Sequence, residues 1–293
     1  MGLEQFSLAD RTAIVTGASY GLGVRFATTL AEAGANVVLA ARSADKLADT
    51  AAKVEALGVK ALVQPCDVTD PAAVKAVVAA TWHTFGRADI LVNNAGAVAE
   101  AGMVPERIPD ELFATTVATN LNGLFTFCRE VGSRQLADGR GGSIINVASV
   151  AGIGAQPHFP SAYQASKAAV INLTRNLGAS WAKRGVRVNA LCPGWFPSEM
   201  TAPFFAMPAY WSRVLAMTPM ARAGLEHELD GALLFLASDA SSFMTGATLA
   251  IDGGLTSTVG AVDYDDDMFL TLETVVGELG TTIRPAAGSG QPA

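Results

Sequence analysis

Short apolar runs alternate with helix-period patterns along most of this chain. Thr12-Ala13-Ile14-Val15-Thr16 reads as a buried strand, and the segment after it carries Leu22, Phe26, Leu30 and Ala33 on one helical side. A second strand runs from Asn36 to Ala40. Val74, Val77, Val78, Trp82 and Phe85 recur at helical spacing, behind Asp70 as N-cap and Pro71 at the first helical position. Ile90-Leu91-Val92, Ser143 to Val147, Val186 to Leu191 and Ala247 to Ile251 supply further strands. Strands apolar on both faces, separated by helices, predict an α/β fold with a parallel sheet covered on each side. Neither a linker nor a repeat interrupts residues 1–257, which are expected to form one domain. After Asp252-Gly253-Gly254 the rhythm stops. Residues 258–293 are expected to add a short helix from about Asp267 to Leu279, docked on a neighbouring subunit or the substrate entrance, and a disordered end at Gly288-Ser289-Gly290-Gln291-Pro292.

Composition narrows the partners. Half of the 293 residues are apolar and 16% are charged, enough for a large core. Twenty Lys and Arg against 27 Asp and Glu leave a net charge of −7, with the basic residues scattered. That excludes nucleic acid or an anionic membrane as the main partner. The longest apolar runs, such as Ala232 to Ala237, fall far short of the roughly 20 residues of a spanning helix. The first residues lack the basic-then-apolar layout of a signal peptide, and Phe6 stands where a myristoylation motif wants Ser or Thr. Cys66, Cys128 and Cys192 are widely spaced in apolar context and read as buried thiols of a reducing compartment, so a cytoplasmic location is expected. No metal site is expected. His83, His158 and His227 lack ligand spacing, and Asp263 and Asp265 to Asp267 lack the Gly and terminal Glu of a calcium loop. His83 reads as a solvated helix residue, and His158, between Ser149 and Tyr163, is a minor candidate for substrate binding.

Two constellations carry candidate chemistry. Thr16-Gly17-Ala18-Ser19-Tyr20-Gly21-Leu22-Gly23 follows a strand and opens a helix. Glycines there permit a tight turn and close approach of a pyrophosphate to the free N–H groups of the helix start. The spacing Gly17-x-x-x-Gly21-x-Gly23 is not the commonest dinucleotide fingerprint, and a tight turn without a ligand is the plain alternative. Tyr163 and Lys167 stand four residues apart on one helix face, a phenol beside a cation. Such a pair can exchange a proton with an alcohol or ketone oxygen near neutral pH.

The glycine run, Asn93-Asn94-Ala95-Gly96, Asn120, Ser149, Tyr163-x-x-x-Lys167 and Pro193-Gly194 occur in this order at intervals that resemble the short-chain dehydrogenase/reductase family across about residues 8–256. The resemblance implies a Rossmann-type doubly wound sheet of about seven strands, a nicotinamide cofactor, a ketone or secondary-alcohol substrate, and a homotetramer or homodimer. It implies Tyr163 as acid/base, Lys167 lowering the phenol pKa and holding the nicotinamide ribose, and Ser149 steadying the substrate oxygen. Asn120 would hold a relay water through its main chain. For the cofactor it implies Gly17, Ser19, Tyr20, Gly21, Leu22 and Gly23 at the phosphates and Asp67 and Val68 at the adenine. Asn94, Ala95 and Gly96 would flank the cofactor, with Pro193, Gly194, Phe196 and Ser198 near the nicotinamide and Asn93 structural. Ser198 stands where the family usually has threonine, behind a stiffening Pro197.

NADP(H) is preferred over NAD(H), which remains possible. Ala41 replaces the acidic residue that would repel a 2′-phosphate, and Arg42 offers a guanidinium. Against this, Tyr20 fills a place where many NADP-specific members carry a cation. The stretch from Trp195 to Met220 is rich in aromatic residues and Met, which predicts a lid over an apolar substrate, packing between subunits being the alternative. A cofactor-binding sensor on this fold is the competing reading, although such proteins typically lack Tyr163 or Lys167. A methyltransferase has no use for that pair, and an extended epimerase needs a larger substrate domain.

Overall fold

The computed structural model describes residues 3–156 and 159–257. The expected tail helix and disordered end, the aspartates of 263–267 and His158 lie outside these residues. In chain order the main elements are β1 (Thr12–Thr16), α1 (Gly21–Glu32), β2 (Asn36–Ala41), α2 (Ala44–Glu55), β3 (Ala61–Pro65), α3 (Pro71–Phe85), β4 (Ile90–Asn93), α4 (Asp110–Val117) and α5 (Leu124–Asp138). There follow β5 (Gly142–Val147), α6 (Ser161–Trp181), β6 (Val186–Pro193), the short α7 (Ala202–Phe205), α8 (Pro208–Met217), α9 (Asp230–Ala237) and β7 (Thr248–Ile251). The strands form one seven-stranded sheet in the order β3-β2-β1-β4-β5-β6-β7, with every pair parallel. The parallel sheet is the one the pattern predicts, and its seven strands in Rossmann-type order are what the family resemblance implies.

Both faces of the sheet are buried, which explains why its central strands are apolar without alternation. In β1, Ala13 and Val15 pack with Phe26 and Leu30 of α1 and Leu233 and Leu236 of α9. Ile14, pointing the other way, packs with Val74 and Val78 of α3, Phe127 of α5 and Val170 of α6. Helix α3 begins as its sequence predicts. Pro71 opens it, and Asp70 Oδ1 accepts from the Ala72 N–H at 2.8 Å. His83 on this helix is exposed, as expected. Strand β3 escaped the sequence reading because it is a sheet edge. Its residues are only partly buried, so no strong apolar run marks it.

The topology also locates the site. Chain order reverses between β1 and β4, which pair directly although β2 and β3 lie between them in sequence. Loops leaving the carboxyl ends of these two strands diverge to opposite faces and leave a crevice, the usual ligand site of open parallel sheets.

Candidate active site

The glycine turn closes the crevice at one end. Gly17 and Gly21 have φ of +67° and +53°, in the left-handed region that side chains disfavour. A Cβ on Gly17 would stand 2.9 Å from the Ala95 Cα, and one on Gly23 would collide with the Gly17 carbonyl. The backbone of the turn therefore lies directly against the loop after β4. Asn94 ties the two together. Its Nδ2 donates to the carbonyls of Thr16 at 3.1 Å and Gly17 at 3.3 Å, while Thr16 Oγ1 accepts from the Asn94 and Ala95 N–H groups at 3.0 Å. Asn93 is buried and structural, donating to Asn146 Oδ1 at 2.9 Å.

Helix α6 brings Tyr163 and Lys167 to the same crevice. Its position is set by close contacts along its length. A Cβ on Gly152 would stand 2.6 Å from the Lys167 carbonyl carbon, so the turn after Ser149 packs directly on the helix backbone. Deeper in, Asn146 Nδ2 donates to Thr174 Oγ1 at 2.9 Å. The helix start has a further anchor. Pro160 is its N-cap and supplies no capping side chain. Glu100, fully buried, acts instead, with Oε1 accepting from the Tyr163 N–H at 2.9 Å and Oε2 accepting from Thr116 Oγ1 at 2.5 Å. The sequence reading missed Glu100. Its partners lie 16 and 63 residues away, so no local pattern reveals it.

The reactive groups then meet. Ser149 Oγ accepts from the Ala151 N–H at 3.1 Å and lies beside Tyr163, lining the same groove. Tyr163 keeps partial solvent access, yet burial of its phenol pushes the pKa above the usual value, opposed by the Ser149 hydroxyl. Lys167 is buried. Its Nζ lies 5.6 Å from the Tyr163 ring centroid and donates to the Val147 carbonyl at 2.7 Å. Burial pulls the Lys167 pKa down from 10.5 to about 8. Burial is the dominant influence on the Tyr163 phenol. Asn120 lies behind these groups in a π-helical turn, Ala118–Gly123. Its side chain is spent on Ala97, accepting from its N–H at 2.7 Å and donating to its carbonyl at 2.9 Å, and on Ser166 Oγ at 3.1 Å. Only its main chain is left for a relay.

Two connected grooves of about 780 and 840 Å³, open to solvent, run from this cluster across the glycine turn. Gly17, Tyr20, Ala95 and Gly96 line both. The first reaches Leu22, Ser149, Tyr163, Lys167, Phe196 and Ser198; the second reaches Ser19, Arg42, Asp67 and Val68. Of the described residues expected to bind cofactor or take part in catalysis, Asn120 alone lines neither. The shape and donors fit a dinucleotide: backbone glycines in the middle, the Arg42 cation at one end and the Ser149, Tyr163 and Lys167 side chains at the other.

A family profile described as Enoyl-(Acyl carrier protein) reductase matches residues 17–256. The gluconate 5-dehydrogenase of Gluconobacter oxydans is 40% identical, covering 86% of this chain and 97% of that protein. The chain belongs to the short-chain dehydrogenase/reductase family. The L-tagatose-forming galactitol 2-dehydrogenase of Cereibacter sphaeroides is 42% identical over 86% of this chain and 97% of its own. A crystal structure of a gluconate 5-dehydrogenase from Burkholderia cenocepacia, in complex with NADP and tartrate, superposes with a TM-score of 0.83 at 37% identity, covering 88% and 99% of the two chains. As a member of this family the protein is an NAD(P)-dependent oxidoreductase acting on alcohol and ketone groups.

Several site neighbours were not legible beforehand. Thr201 lines the first groove and shares a 2.9 Å hydrogen bond with Ser198 Oγ, so the Ser198 hydroxyl is already engaged. Ser43, the N-cap of α2, makes no capping bond with its side chain and lines the second groove beside Arg42. Lys46 Nζ lies 5.6 Å from the Tyr20 ring centroid. The three cysteines are buried and unpaired, their thiols pushed up to about 11, 12 and 11 by burial, which leaves them protonated and unreactive. No helix among the described residues is long and apolar enough to cross a membrane.

Proposed function

We propose that the protein transfers hydride between NADP(H) and a ketone or secondary alcohol, with Tyr163 as the proton donor and acceptor. The observation that carries this reading is the convergence of Tyr163, Ser149 and Lys167 at one end of the glycine-lined groove. When bound, the nicotinamide supplies or accepts the hydride. In reduction, Tyr163 gives its proton to the carbonyl oxygen. Ser149 already accepts from the Ala151 N–H, so its own proton is available to steady that oxygen as charge develops. Lys167 has one Nζ proton on the Val147 carbonyl and keeps its remaining donors for the ribose and for returning a proton to Tyr163, by way of water held at the Asn120 main chain.

Preference for NADP(H) over NAD(H) is supported by the end of β2. Ala41 offers no carboxylate there, and none of the six ion pairs among the described residues involves the exposed Arg42. Ser43 and the start of α2 add neutral donors beside it, and Lys46 near Tyr20 restores the second cation that the glycine turn lacks. Residues 1–257 would form the catalytic unit of a cytoplasmic homotetramer or homodimer. Exposed Phe113 and Phe125, on α4 and α5, favour such assembly.

Tyr163→Phe tests the mechanism. Turnover of any accepted ketone should fall roughly 10²- to 10⁴-fold while NADPH affinity stays within about twofold. A near-normal kcat in this variant refutes the assignment.

A further inference from the structure

Beside Tyr163 and Ser149 opens a second recess, of about 570 Å³, whose chemistry differs from that of the cofactor grooves. Three rings form its wall. The centroids of Phe159, Trp195 and Phe204 lie 6.1, 6.1 and 5.5 Å from one another, and Phe159 stands edge-on to Tyr163 at 5.9 Å. Val150 and Met200 complete an apolar lining. Among the described residues that line it there is no Asp, Glu, Lys or Arg. The polar side chains there are few. Ser149 and Tyr163 belong to the reacting end, and the Thr201 hydroxyl is already donated to the Phe196 carbonyl at 2.7 Å. Gln156 and the Trp195 indole N–H are the other polar groups among these residues.

A carboxylate entering such a recess loses its water and meets no cation, and a row of hydroxyls meets too few partners to replace theirs. Apolar rings, by contrast, find aromatic edges and faces at packing distance. We infer that this site takes a ketone or secondary alcohol flanked by uncharged, apolar ring or hydrocarbon groups, and that it discriminates against sugar acids and polyols. The inference rests on the reading of Tyr163 and Ser149 as the reacting pair. It separates this chain from relatives named for gluconate and galactitol, with Phe159, Trp195 and Phe204 as the specificity-determining side chains.

The test uses the purified full-length chain with NADPH and four ketones: 2-tetralone, 2-decalone, 5-ketogluconate and L-tagatose. The expected result is a kcat/KM at least about a hundredfold higher for the two bicyclic ketones. Equal or better use of 5-ketogluconate or L-tagatose overturns the inference and leaves the oxidoreductase reading intact. Phe204→Arg should lower kcat/KM for 2-tetralone by at least about tenfold and raise that for 5-ketogluconate, with NADPH affinity unchanged. Phe204→Leu, a milder change, should cost roughly tenfold on 2-tetralone alone. Unchanged selectivity in both variants counts against the assignment of the ring wall. If none of the four ketones turns over with NADPH, binding decides the pocket. Quenching of tryptophan fluorescence by 2-tetralone but not by 5-ketogluconate, lost in Trp195→Phe, supports it. Equal quenching by both, or none, overturns it.

Discussion

The two halves of this site are built from different material. Where the two grooves cross the glycine turn they are backbone: glycines, main-chain N–H groups and the Asn94 amide that clamps two carbonyls of the turn. The substrate recess is side chain: aromatic rings contributed by the loop before α6, the end of β6 and the short α7. A backbone surface cannot be altered by changing one residue for another of similar size, because no side chain carries the shape. A ring wall can be changed one ring at a time. The same fold can therefore keep its cofactor while its substrate varies.

The contrast can be broken at the glycine turn. Gly23→Ala places a methyl on the Gly17 carbonyl, and cofactor affinity measured by titration should weaken roughly a hundredfold. An unchanged Kd would mean the turn has slack. The adenine end is sharper still as a discriminator, because there a side chain does the selecting. Arg42→Ala should lower kcat/KM for NADP by roughly ten- to hundredfold and leave NAD nearly unaffected. Equal losses with both cofactors would make Arg42 a general contact.

The seam between the halves responds to pH. An unfolded Lys167 holds its proton to its ordinary value of 10.5, whereas the folded one releases it near 8. Between those values the unfolded state binds more protons, so this lysine makes stability rise as pH increases from about 8 toward 10.5. Lys167→Met should remove that rise and add roughly 1–3 kcal/mol at pH 7, read from denaturant unfolding at several pH values. A variant with the same pH slope as the parent would contradict the burial argument. The smallest effect is expected at Glu100. Glu100→Ala strips the Tyr163 N–H of its acceptor and should cost about 1–2 kcal/mol, while Glu100→Gln retains an acceptor and most of the stability.

The legible parts share one property: they are local in sequence. The strands of the sheet centre are runs of Ala, Val, Ile and Leu because both their faces are covered, and the glycine turn lies within eight residues. Tyr163 and Lys167 share a helix face by their spacing alone. The edge strand β3 and the cap Glu100 were hidden for the opposite reason. One is only half-buried, and the other acts across 63 residues. The lid segment was legible only in composition. Trp195 and Phe204 line the recess, Phe196 is buried and lines the first groove instead, and Met207 and Met217 are exposed.

The amino-acid sequence by itself determined the α/β class, the glycine turn between β1 and α1 and the placing of Tyr163 and Lys167 on one helix face, because each rests on spacing within one or two elements. Tertiary structure alone decided the state of those residues. Burial pushes the Tyr163 phenol pKa up and brings the Lys167 pKa down to about 8, and the meeting of three rings from three segments leaves the recess beside them without a charge among its described residues. Desolvation depends on everything that surrounds a group, and what surrounds these groups comes from parts of the chain that only folding brings together.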